Sequence, residues 1–114
     1  MLAVNVGRTQ TDYRLVDALS GTLSAVFSKT FIIDTAGRFN NSVVFATDAP
    51  ASLELFRARA EAEANPKLQP IIRDALALGN LRRGRPNGIV FTDDLAPVER
   101  LIDDIIVSYV RATR

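Results

Sequence analysis

The stretch KTFIIDTAGRFNNSVVFAT, residues 29–47, decides the fold. Its two ends, Lys29–Asp34 and Ser42–Thr47, are rich in β-branched and aromatic side chains, the residues that fit a pleated surface. Between them, AGRFNN (36–41) has turn composition, since glycine and asparagine tolerate conformations that other residues resist. Strands joined by so short a connection must run antiparallel. The stretch reads as a β-hairpin.

Working outward from the hairpin, LAVNV (Leu2–Val6) is a short apolar run closed by Gly7, the pattern of a strand covered on both faces. Thr9 and Asp12 follow with capping-box spacing. Behind them Val16, Leu19, Leu23, Val26 and Phe27 recur at helical intervals, which predicts a helix over residues 11–27. A strand, a crossover helix and a second strand predict a parallel pair with a right-handed connection. The hairpin then adds an antiparallel third strand. The expected fold is therefore α/β, a sheet of three mixed strands with the last antiparallel.

Downstream of Asp48-Ala49-Pro50 the texture turns helical. Leu53 and Phe56 open a segment that Asn65-Pro66 ends, and Leu68, Ile71, Ile72, Ala75 and Leu76 make a second stripe closed by Gly79-Asn80. Residues 79–88 (GNLRRGRPNG) have loop composition. From Val98 to Val110 apolar residues recur at i, i+3, i+4 and i+7, the mark of an amphipathic helix. About four helices are expected, all within one domain, residues 1–114.

Composition removes several kinds of chemistry. The chain has 114 residues, a net charge of +1, no cysteine and no histidine. Thiolate and serine–histidine nucleophiles, disulfides and zinc–thiolate sites are excluded. The balanced charge argues against nucleic acid as a partner. No apolar run reaches the ~18–20 residues of a membrane-spanning helix, and MLAVNVGRT lacks the basic start of a signal peptide. The expectation is a cytoplasmic protein without membrane contact.

Three segments carry a resemblance. FIIDTAGRFNNSVVFATDAP (31–50) resembles the closing hairpin of the spermidine synthase family, the aminopropyltransferases. VFTDDLAPVE (90–99) resembles the C-terminal end of spermidine synthase-like proteins, and residues 2–27 resemble the fifth strand and fifth helix of that fold. The family has the class I S-adenosylmethionine-dependent methyltransferase fold, Rossmann-like, with seven strands of which the last is antiparallel. The resemblance implies the C-terminal portion of that domain. The glycine-rich turn of its nucleoside-binding half is not found here, where six glycines are scattered. The family's catalytic aspartate belongs upstream as well. The chain by itself is therefore expected to bind no S-adenosyl cofactor, to carry no catalytic residue and to be inactive. The complete protein would move an aminopropyl or methyl group from an S-adenosyl donor to an amine.

Candidate substrate-side residues follow. Asp93 and Asp94 are adjacent carboxylates, and a polyamine is a string of cations that such groups position by charge-assisted hydrogen bonds. One of them, Asp94, is placed to N-cap the last helix ahead of Pro97, which leaves Asp93 for a ligand or for solvent. Phe39, Asn40 and Asn41 stand where the family's hairpin loop reaches the substrate cleft, with Phe39 at a turn that usually bears tyrosine; a plain asparagine turn is the alternative. Asn5 stands at the C-terminal end of the first strand, on the side where open α/β sheets bind ligands, at a position often Gln in the family; a lone amide that satisfies local backbone groups is the equal alternative. Arg82, Arg83 and Arg85 read as a solvated loop, Asp103 and Asp104 as surface partners of Arg100, and Tyr109 as core. A non-catalytic, self-associating module is the competing function. An apolar leading strand without a neighbour predicts a homo-oligomer through the Leu2–Val6 edge.

Overall fold

Lys29–Asp34 (β2) and Asn41–Thr47 (β3) form the antiparallel hairpin, in register from Lys29 opposite Thr47 to Asp34 opposite Ser42. The computed structural model describes residues 1–35, 40–77, 79–84, 90–92 and 98–113. Around the hairpin stand β1 (Leu2–Gly7), α1 (Arg14–Ser24), α2 (Leu53–Glu61), α3 (Gln69–Leu76), β4 (Leu81–Arg83) and α4 (Val98–Ala112).

Among the described residues the sheet has four strands in the order β1-β3-β2-β4, and every adjacent pair is antiparallel. This corrects the expected mixed sheet of three. Being antiparallel to the same β3, strands β1 and β2 do run in one direction, as a crossover requires. They are not neighbours, because the hairpin folds β3 back into the space between them. The short turn fixes the direction of β3 but not its side, and only the unfilled edge of β1 decides that.

β4 lies within the segment read as a loop. It pairs with β2, Ile32 facing Arg82. Gly79 permits the turn into it with φ +82°, a left-handed conformation that other residues resist. At its far end Gly84 donates its N–H to the Thr30 carbonyl at 2.7 Å. β4 makes β2 an interior strand, and residues 30–34 of β2 are buried throughout, Ile32 in the α1-side core and Phe31 toward the α2–α3 side.

α1 covers one face of the sheet through Leu15, Val16 and Ala18. The core joins Val6, Leu15, Val16, Ile32, Val44 and, from α4, Ile105. A fully buried aliphatic such as Ile32 contributes about 1.5–3 kcal/mol of transfer free energy. Along β3 the pattern alternates, with Ser42, Val44 and Ala46 buried toward α1. β1 is covered on that face alone, since Ala3 and Asn5 are exposed. The expectation of a strand buried on both faces is corrected: α2 and α3 bury no residue and leave the far face of β1 open.

One helix start also differs. Thr9 Oγ1 accepts from the Asp12 N–H at 2.9 Å, but α1 begins at Arg14 after Tyr13. The threonine caps the turn before the helix. α2 is capped by Ser52, whose hydroxyl accepts from the Leu55 N–H at 3.0 Å.

Candidate functional site

The end of the sheet where β1 and β2 finish and β3 starts carries both features of interest. On it lies a hollow of about 440 Å³ bordered by Asn5 of β1 and by Asn40 and Asn41 at the start of β3. Three of the sequence-predicted substrate-side residues are thus brought together. Asn41 Nδ2 donates to Asn5 Oδ1 at 2.9 Å, and the Arg8 N–H donates to the Asn40 carbonyl at 3.0 Å. Thr35 Oγ1 holds Asn41 from the other side, donating toward its carbonyl at 2.7 Å and lying 3.2 Å from Oδ1. Phe39, Asp93 and Asp94 lie outside the described residues.

Tyr109 of α4 borders the same hollow. It is 56% exposed, which corrects its reading as core. The stripe of α4 is wider than the sheet can cover, so Ile105 is buried while Ile102, Ile106, Tyr109 and Val110 stay exposed.

A polar band crosses the α1-covered face at this end, with one residue from each of β2, β3 and β4 and one just beyond β1. Arg82 Nε of β4 donates to Asp34 Oδ2 at 2.7 Å. Ser42 Oγ of β3 donates to Asp34 Oδ1 at 2.6 Å, and Arg8 Nε, just beyond β1, donates to Ser42 Oγ at 2.8 Å. The remaining guanidinium nitrogens of Arg8 donate to the carbonyls of Thr9 and Thr35. Tyr13 lies between the two cations, its ring centroid 4.4 Å from Arg8 Cζ and 5.5 Å from Arg82 Cζ, within cation–π range. Burying Asp34 is tolerable because both carboxylate oxygens have donors.

The sequence reading missed this band. Its members stand far apart in sequence, Arg82 being 48 residues from Asp34. Its reading of Arg82 as a solvated loop residue is corrected by the ion pair. One signal was present, an acidic residue closing an apolar strand (FIID, 31–34). Among the described residues the ion pairs are Arg82–Asp34 and Arg14–Asp12, so Arg100 bridges neither Asp103 nor Asp104.

Chemically, the hollow offers amides, backbone groups and the side chains of Thr9 and Tyr109, with Arg8 its one charged neighbour among the described residues. Such a wall hydrogen-bonds and orients a polar ligand; it has no acid–base pair. Among the described residues no cluster of acidic side chains fits a metal ion. On the opposite face of the sheet an apolar groove of about 520 Å³ runs between Phe31 and Phe45 and the α2–α3 pair. Among the described residues no helix is long and apolar enough to cross a membrane. Compared with known families, curated proteins and solved structures, the chain matches no family model, no curated protein and no solved structure.

Proposed function

We propose that the chain is the C-terminal part of a spermidine synthase-like protein of the S-adenosylmethionine-dependent methyltransferase fold, and forms part of its substrate-side wall. The observation that carries this reading is the hollow itself. Asn5, Asn40 and Asn41 meet at the end of two like-directed strands, where open α/β sheets bind ligands. The antiparallel last strand of the hairpin supports it too. In the complete protein the resemblance makes Asp93 the candidate for the carboxylate that a cationic amine requires.

The chain alone then has no role in donor binding, because it lacks the glycine-rich turn and the acidic ribose ligand. The test is to read the coding sequence directly upstream for a glycine-rich first-strand motif and to express that segment joined to this chain. The joined protein is expected to transfer an aminopropyl or methyl group from an S-adenosyl donor to a di- or triamine. Asn41→Ala and Asp93→Asn should each raise the KM for the amine more than that for the donor. A joined protein without transfer, or equal effects on both KM values, sinks the reading. So does saturable micromolar binding of S-adenosylmethionine by the chain alone.

A second reading, a self-associating module without catalysis, is favoured by one observation. Among the described strands β1 pairs with β3 alone, at the edge of the sheet, and it bears no charge from Leu2 to Gly7. The homo-oligomer contact at Leu2–Val6 belongs to this reading.

A further inference from the structure

The hydrogen-bond phase of β1 fixes what its outer edge presents. The Arg8 N–H donates to the Asn40 carbonyl, and β1 pairs with β3 from Leu2 opposite Ala46 to Gly7 opposite Asn41. Bonded and non-bonded pairs alternate along an antiparallel ladder. Leu2, Val4 and Val6 therefore turn their backbone groups toward β3. Ala3, Asn5 and Gly7 turn theirs outward. The strand itself carries none of the usual edge protection, having no lysine, no proline and no charge from Leu2 to Gly7, and Ala3, Asn5 and Gly7 are exposed.

We infer that a second copy of this chain pairs with the edge, antiparallel, about a twofold axis through Asn5. The inference rests on the self-association reading above and deepens it. That axis makes Asn5 meet Asn5 of the copy and sets Ala3 against Gly7, so each outward-facing backbone group finds a partner. The side chains fit as well. On the α1 face Val4 comes beside Val6 of the copy, an apolar pair, and on the other face the two Asn5 amides meet. Asn5 Oδ1 already accepts from Asn41, which leaves its Nδ2 to bridge the axis. No like charges are opposed in this register.

α4 supplies a second element. Ile102, Ile106 and Tyr109 border a hollow with Gly7, Arg8 and Thr9, so the exposed apolar stripe adjoins the same edge. A twofold axis perpendicular to the sheet keeps both α1–α4 layers on one side, and the junction covers the stripe together with the strand. Closed twofold contacts of this kind are the common form of self-complementary surfaces. In the complete transferase a neighbouring strand would occupy this edge, and the two occupants exclude one another.

The test uses the axis. Light scattering and sedimentation equilibrium of the chain should show a dimer. Asn5→Asp and Asn5→Lys, at an exposed position, should each weaken dimerisation by about tenfold or more, because like charges then meet. Mixing the two variants should restore the dimer, a result that a merely unfolded variant does not give. Ile106→Glu should weaken it separately. In hydrogen exchange the amides of Ala3, Asn5 and Gly7 should gain protection as concentration rises, while Val4 and Val6 are protected throughout. A chain that stays monomeric at millimolar concentration, or a dimer indifferent to charge at Asn5, overturns the proposal. Neither outcome touches the transferase reading, which the joined protein tests by itself.

Discussion

The two edges of the sheet are built in opposite ways. β4 is three residues long, carries two arginines and is tied down at each end. The Asp34 N–H reaches the Asn80 carbonyl at 2.8 Å on one side, and Gly84 reaches Thr30 on the other. Arg82 adds the ion pair with Asp34. β1 is twice as long, uncharged and covered on one face only. A short, charged strand gives another chain little to pair with, whereas a longer apolar one is a template. The same sheet thus ends in a finished edge and in an open one. The polar band links them, running from Arg82 through Asp34 and Ser42 to Arg8.

The sharpest way to break this contrast is to unpin β4. Asp34→Ala leaves Arg82 without its carboxylate and Ser42 without its acceptor, and the expected loss is ~3 kcal/mol by urea unfolding. The lower end of the range for a broken buried pair applies because Arg82 is partly exposed. The Gly84 amide should then exchange faster, since β4 is released. A second blow falls on the same edge from packing. A Cβ on Gly84 would overlap Ser20 Oγ and stand 2.9 Å from Thr30 Cβ, so Gly84→Ala should cost about 2 kcal/mol. Ser20 is buried and has little room to turn into, and the Thr30 side chain crowds the same Cβ.

Gly79→Ala strains the turn into β4 through its φ of +82°, although a Cβ there meets open space. The expected cost is about 1 kcal/mol, measured as a lower urea midpoint with an unchanged slope. The smallest effect lies at the exit from the open edge. Hydrogen bonds from the Arg14 side chain hold the Asp12 carboxyl below its ordinary range, against a weaker upward push from burial. The folded state thus takes up a proton less readily than the unfolded chain. The contribution of the pair is present at neutral pH and fades as pH falls through the carboxylate range. Wild type and Asp12→Asn should accordingly differ slightly at pH 7 and converge in acid. If Asp12→Asn equals Asp34→Ala in cost, the contrast between a pinned edge and an open one is lost.

Much of this was legible without coordinates. The hairpin, the first strand and all four helices follow from period-2 and period-3.6 patterns over segments long enough to show them. β4 does not, because three residues with two arginines display no period. Of the predicted site residues, Asn5, Asn40 and Asn41 converge. Asn5 could be found because open α/β sheets bind ligands at the carboxyl ends of their strands, and Asn40 and Asn41 through the resemblance of the hairpin turn. The band escaped notice because neither composition nor spacing says that a strand-end aspartate and a loop-like arginine will be neighbours.

The sequence by itself determined the local elements, the absence of histidine and cysteine chemistry, and an uncharged leading strand. These depend on side-chain type and on contacts within a few residues. The tertiary structure alone decided that β3 lies between β1 and β2, that β4 closes one side, and that Asp34 is hydrogen-bonded from two other strands and paired with Arg82. A turn constrains direction over a few ångströms, but strand order is set by which edges remain unsatisfied once the whole sheet is assembled. For this chain that leaves the β4 side closed and the β1 side, beside the amide-lined hollow, open.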